Sequence, residues 1–339
     1  MAATVSDTLI SWYDRHARDL PWRAPPGKPA PDPYRVYLSE IMLQQTTVAA
    51  VKPYFHKFVE RWPSVTDLAA ASDEDVMAAW AGLGYYSRAR NMVKAAREIA
   101  RLGDFPRTEA ELRKLPGLGA YTAASIAAIA FGERAVVVDA NVERVVARLF
   151  NLTDPLPGVR KAIRERADTI TPDARAGDFA QAMMDLGATI CTARDPKCLL
   201  CPLADRCEAR AAGEPERLPV KPAKKTKPVR SGTAYWLERD SHVWLVTRPA
   251  TGLLGSMRAL PDDEWSARAD GSGTAPVNGP WEQIGSVSHT FTHFKLDLSV
   301  MRLCTDDNVS GAGEWWPVAS LDEAGLPTLF AKAARLARA

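Results

Sequence analysis

Leu115-Pro-Gly-Leu-Gly-Ala-Tyr-Thr-Ala123 is the stretch whose reading decides the fold. Upstream, Thr108 with Glu111 three residues on forms a capping box, opening a helix that ends at the pair Gly117 and Gly119. Downstream, Tyr121 to about Ala130 is a run of Ala and Ile that reads as a buried helix. Two helices joined by a glycine hairpin leave backbone N–H groups facing outward at the start of the second. That cradle holds a phosphate through main-chain donors and the helix dipole, without reading base sequence. A bare Pro-Gly-x-Gly turn would say little, but the full frame predicts a helix–hairpin–helix over about 107–130, with Gly117 and Gly119 at the phosphate.

Working outward, two carboxylates stand where they invite chemistry. Asp139, in Val136-Val-Val-Asp-Ala-Asn141-Val, is delivered by an apolar run to the front of a helix marked by Val142, Val145, Val146 and Leu149. Taken alone it reads as an N-cap; lying 18 residues after Tyr121, it is a candidate to stabilise a cation forming beside it. Glu40 belongs to a predicted helix from Asp32-Pro33 to Thr46, whose spacing puts Val36, Tyr37 and Leu43 on its face and Gln44 one turn on. Burial there would raise its pKa and make it a proton donor near neutral pH. The alternative is a glutamate satisfied by Arg35 or Arg88.

Four of the five cysteines, Cys191, Cys198, Cys201 and Cys207, follow the spacing C-x6-C-x2-C-x5-C. Zinc sites usually pair two short hooks across a longer loop; this run has a single hook between wider gaps, which fits a 4Fe-4S cluster held over 191–207, with zinc the alternative. Lys197, Arg194 and Arg206 could present charge to phosphates or be ordinary solvated side chains. The net charge of +2 on 339 residues neither requires nor excludes nucleic acid. Apolar stretches stop well short of the ~18 residues a membrane span needs, and Met1–Leu20 carries acids without a long apolar run. The chain is therefore expected inside the cell, away from membranes.

Residues 1–212 read as all-α. The stretch 213–232, rich in proline and Lys/Arg, reads as an extended linker. Residues 233–339 read as α+β: strands over Thr233–Glu238 and His242–Thr247 around Asp240-Ser241, period-two alternation from Phe294 to Val300, and a closing helix from Leu321 to Ala339.

Together these residues resemble the endonuclease III superfamily of helix–hairpin–helix glycosylases, and within it the MutY-type adenine DNA glycosylases. The resemblance covers nearly the whole chain: LPW (Leu20 to Trp22), LSEIMLQQT (Leu38 to Thr46), AGLGYYSRARN (Ala81 to Asn91), LPGLGAYTA, VDANVERV (Val138 to Val145), QAMMDLGATIC (Gln181 to Cys191) and the cysteine loop. It implies that Glu40 protonates adenine N7 and that Asp139 stabilises the sugar cation, with Tyr121 and Asn141 lining the site. Gln45 and Tyr85 would push into the base stack, offsetting the cost of extruding a nucleotide, while Trp22 and Arg23 border the adenine pocket and Gln181 bonds the base. Bifunctional relatives carry a lysine where Tyr121 stands, so the resemblance implies base removal without strand cleavage. The C-terminal half resembles the MutT-like (Nudix-fold) domain that recognises 8-oxoguanine. The hydrolase box is absent, Ser288 and His289 match the contact loop Val287–His293, and Val287 stands where the family commonly has an aromatic. The implied partner is double-stranded DNA carrying A·8-oxoguanine or A·G mispairs, bound by a monomer in the cytoplasm at the nucleoid.

Overall fold

The computed structural model describes residues 3–222, 226–249, 252–306, 309 and 311–338. Contacts divide the chain into two compact units, 1–71 with 90–223, and 72–89 with 224–339.

Up to residue 223 the described chain is helical: α1 (Val5–His16), α2 (Pro33–Leu43), α3 (Val48–Arg61), α4 (Val65–Ala70), α5 (Asp73–Trp80), α6 (Ser87–Leu102), α7 (Glu109–Leu112), α8 (Ala120–Phe131), α9 (Ala140–Leu149), α10 (Arg160–Ile170), α11 (Ala176–Thr189) and α12 (Glu208–Ala211). Local chemistry sets their starts. Asp32 caps α2 by accepting from the N–H groups of Tyr34 and Arg35, and Pro33 fills the first turn, where no N–H is needed. In the first unit α8 is the packing centre, with α2, α7 and α11 against it. Its residues Thr122–Ala130 are all buried, and their small side chains let neighbouring backbones come close.

Two helical expectations need correction. The helix carrying Glu40 stops at Leu43, not Thr46: Gln44 leaves helical geometry and Gln45 takes a left-handed φ of 59°. The helix opening at Thr108 keeps its capping box but runs only to Leu112 before turns lead into the hairpin.

The second unit is built on a mixed sheet of β1 (Val229–Arg239), β2 (His242–Thr247), β3 (Arg258–Ala259), β4 (Glu282–Thr290), β5 (Lys295–Cys304) and β6 (Gly313–Pro317). The order is β3-β2-β1-β5-β4, with β6 on β2; β1 and β5 run parallel and the other pairs antiparallel. The Asp240-Ser241 turn joins β1 to β2 as expected, and β5 alternates buried and half-buried side chains along most of its length. β1 starts four residues inside the stretch read as linker (229 to 232), because Val229 pairs with Lys295, a partner remote in sequence. Lys224 and Lys225 of that stretch lie outside the described residues. The closing helix is two pieces, a 3-10 segment Val318–Ala324 and α13 (Thr328–Arg338), separated by Gly325 at φ 71° and by Pro327; Ala339 lies outside the described residues.

Candidate active site and cluster loop

The hairpin has the backbone that a phosphate cradle needs. Gly117 sits at φ 77°, and a Cβ there would stand 2.6 Å from the Cβ of Asn91, so both conformation and space demand glycine. Gly119 is the N-cap of α8 and supplies no side-chain cap, which leaves the first-turn N–H groups for an external acceptor.

Glu40 lies on the buried face of α2, only 6% exposed. Its Oε2 has no hydrogen-bond partner, and neither does the buried hydroxyl of Ser125. Burial pushes the carboxyl up to about 7; the Tyr121 and Ser125 hydroxyls and the charge of Arg23 pull the other way, while the charge of Asp139 raises it further. The hydroxyls approach Glu40 without closing a well-formed bond to Oε2. The enclosed Tyr121 hydroxyl is itself held far above its usual range by burial, and it donates to Met184 Sδ at 3.8 Å.

Asp139 is half-buried at the front of α9, where its Oδ1 accepts from Val142 N–H at 2.7 Å and its Oδ2 from Asn141 Nδ2 at 2.8 Å. The N-cap reading is correct as geometry, and from this position the charge of Asp139 is felt at Glu40. Asn141 is held in turn: Arg144 Nη2 donates to Asn141 Oδ1 at 3.0 Å and to Gly187 O at 2.7 Å, and Arg144 Nε to Cys191 O at 2.7 Å. Gly187 on α11 leaves no room for a Cβ, which would stand 2.6 Å from that of Asn141.

Of the other residues expected at the site, Trp22 is buried and meets Phe55 edge-on at 5.2 Å. Arg23 is half-buried, with its side chain 8% exposed, and its Nη1 donates to Asp185 Oδ2 at 2.8 Å. Gln181 is buried on α11. Gln45 is exposed at the end of α2, left-handed. Tyr85, in the other unit, is exposed with φ 48° and lies under the Arg88 guanidinium. Arg88 donates to the carbonyls of Leu83 and Gly84, and Glu40 feels the charge of Arg23. Ser125 and Asp185 were missed by the sequence reading, though each stands four residues, one helical turn, beyond a named residue: Tyr121 and Gln181.

The four cysteines line one recess of about 300 Å³, mouth included, with Arg148, Ile190 and Arg210. Four thiols lining one recess make the all-sulfur donor set that a 4Fe-4S cluster takes. Burial pushes the Cys201 thiol up to about 11 and the Cys207 thiol up as well, so thiolates here need a cationic core to hold them. Arg148, fully buried, ties the loop to α9 by donating to Cys191 Sγ and to the carbonyls of Thr192, Ala193 and Leu218.

In the sheet unit Ser288 and His289 fall inside β4 rather than in a loop. The Ser288 hydroxyl donates to Asp297. His289 is half-buried, edge-on to Phe291 at 4.6 Å, and burial together with Lys332 lowers its pKa. Val287 packs into the core, while Thr292 and His293 are exposed at the tip between β4 and β5.

A helix–hairpin–helix whose second helix has no side-chain cap, a buried glutamate with an aspartate near it, and a cysteine-lined recess together define a base-excision class of site. Family models agree: residues 38–169 match the HhH-GPD superfamily base excision DNA repair protein, 191–207 the iron-sulfur binding domain of endonuclease III, and 232–336 the NUDIX domain. The adenine DNA glycosylase of Mycolicibacterium smegmatis is 43% identical over 61% of this chain and 70% of that protein. The human one is 35% identical over 88% of this chain, and the mouse one 38% over 80%; the chain spans 66% and 55% of their lengths. Among solved structures, a thermostable thymine-DNA glycosylase superposes with TM-score 0.54 and 30% identity, covering 61% of this chain and 95% of that one. A non-covalent endonuclease III–DNA complex gives 0.52 and 26%, covering 61% and 94%. The chain belongs to the adenine DNA glycosylase family. It joins a helical helix–hairpin–helix domain to a C-terminal Nudix-fold domain, and its cysteine loop is a 4Fe-4S site.

Proposed function

We propose that the chain removes adenine paired with 8-oxoguanine or guanine in double-stranded DNA, by hydrolysis of the N-glycosidic bond. The observation that carries this is the Glu40 carboxyl, held up to about 7 by burial with Asp139 beside it. With the adenine extruded, Glu40 gives its proton to N7. The C1′–N9 electrons then leave with the base, and the carboxylate of Asp139 opposes the positive charge forming on the sugar. Water adds to C1′ and gives up a proton, leaving an abasic site. Tyr121 stands near the acid and has no amine to form a Schiff base, so the strand stays intact. Trp22, Arg23 and Gln181 wall and bond the base, Asn141 steadies Asp139, Gln45 and Tyr85 enter the stack, and Gly117 and Gly119 hold a phosphate.

On this reading 1–212 is the catalytic domain, 213–232 the connection, shortened by the start of β1, and 233–339 the part that distinguishes 8-oxoguanine through Ser288 and His289. The protein works as a monomer at the nucleoid in the cytoplasm. The cluster, bound by Cys191, Cys198, Cys201 and Cys207, supplies a rigid anchor for the loop, since hydrolysis moves no electrons between redox states. The test is incubation with duplexes holding A·8-oxoguanine, A·G, T·G or U·G, followed by alkali. Cleavage at A·8-oxoguanine and A·G after alkali alone is expected; release of thymine instead, or nicking without alkali, overturns the reading.

A further inference from the structure

Asp185 is a fully buried carboxylate for which the proposed chemistry has no step. Its Oδ2 accepts from Arg18 N–H at 3.0 Å and from Arg23 Nη1 at 2.8 Å, and its Oδ1 from Arg18 Nε at 2.6 Å. Both arginines belong to the corner that follows α1 and carries Trp22, more than 160 residues away in sequence. A buried ion pair is a poor way to gain stability, because desolvation consumes much of the attraction. Its worth lies in fixing geometry, and the geometry here is particular. The residue before Asp185, Met184, receives the Tyr121 hydroxyl, and Gln181 lies one turn earlier on the same helix. The stretch of α11 that holds Arg23 is therefore the stretch that meets the site. Around Glu40 stand Tyr121 and Ser125 from α8, Asp139 ahead of α9, and Arg23 from the corner; of these, Arg23 brings the positive charge.

We propose that Asp185 is a positioning residue: it clamps Arg23, and the corner that bears Trp22, onto α11, and so fixes the guanidinium that faces the extruded base and the Glu40 carboxyl. The inference rests on the adenine-excision reading. Without the clamp Arg23 drifts from Glu40, adenine is held out of register, and the acid keeps its proton to higher pH.

The test uses the cluster-loaded protein as Asp185→Asn, Arg23→Gln and the double variant, in single-turnover excision from an A·8-oxoguanine duplex across pH. Each single change should slow excision on the order of 10²-fold, the scale of a small misplacement in the site. The double variant should be no slower than Arg23→Gln alone, and the descending limb of the rate should move to higher pH in all three. Losses that multiply, or a limb at its wild-type position, overturn the proposal. If the Asn variant fails to fold, Arg18→Gln loosens the same clamp without touching Arg23: with the cluster's visible absorption intact it should show partial loss and a raised limb, and a wild-type rate and limb there would equally overturn it. A wild-type protein that releases no adenine would instead sink the reading beneath it.

Discussion

Glu40 and Asp139 are carboxylates of one site placed in opposite surroundings. Glu40 is buried in the second half of α2, with one oxygen unpartnered and Tyr121 and Ser125 nearby. Asp139 sits at a helix front with a backbone N–H and an amide donating to it. Burial removes the solvent that a charge needs, whereas a helix N-terminus supplies donors. In the mechanism proposed above, that difference in surroundings divides the work between two side chains of the same chemistry.

The comparison breaks most sharply at Asp139. Asp139→Asn removes the charge while keeping the shape, and is expected to abolish base release while duplex affinity, read by gel shift, survives; turnover near that of the wild type would take Asp139 out of its role. Next comes Glu40→Gln, expected to slow excision by about 10²–10⁴-fold, the usual worth of a general acid. The same change should stabilise the protein at higher pH. Folded Glu40 takes up its proton near 7 and the unfolded chain near 4.5, so stability falls as pH rises between these values, and above 7 the buried charge costs about 3 kcal/mol. Gln carries no such charge, so thermal melts of the two proteins should agree near pH 4, separate as pH rises from 4.5 to about 7 and stay apart above it; parallel curves would contradict the burial argument. A smaller effect is expected from ending the chain near residue 225: adenine release from A·G should survive in part while the preference for 8-oxoguanine erodes, and equal loss on both duplexes would count against the division of labour. Smallest is Gly187→Ala, whose added methyl meets Asn141. It should destabilise by about 1–3 kcal/mol, as overpacking does, with a modest drop in rate; an unchanged melting temperature would show that α11 and α9 have room to separate.

What the sequence made legible was what local chemistry dictates. The hairpin glycines, the Thr108 capping box, the Asp139 cap and the cysteine run depend on neighbours a few residues apart, and these lie in the structure as read, although the helix before the hairpin is shorter than expected. The clamp at Asp185 escaped because its partners are more than 160 residues away; its place one turn beyond Gln181 puts it on the same face but does not reveal an ion pair. β1 escaped in part because Lys and Pro around Val229 suggest solvent, while its pairing with β5 is settled by contacts remote in the chain. Placing Ser288 and His289 in a loop failed for a related reason: the run Val287–Thr290 has little alternation of its own, and β5 holds it as a strand. The helical spacing around Glu40 marks a carboxylate on an apolar stripe, and only packing could tell whether an arginine neutralises it.

The most direct test is the single-turnover rate of adenine release from an A·8-oxoguanine duplex, followed from pH 5 to 9. A neutral Glu40 that delivers its proton predicts a rate that falls as pH rises through about 7, and no such fall in what remains of Glu40→Gln. A rate that stays level across this range, or falls in the ordinary carboxylate range instead, would contradict the account.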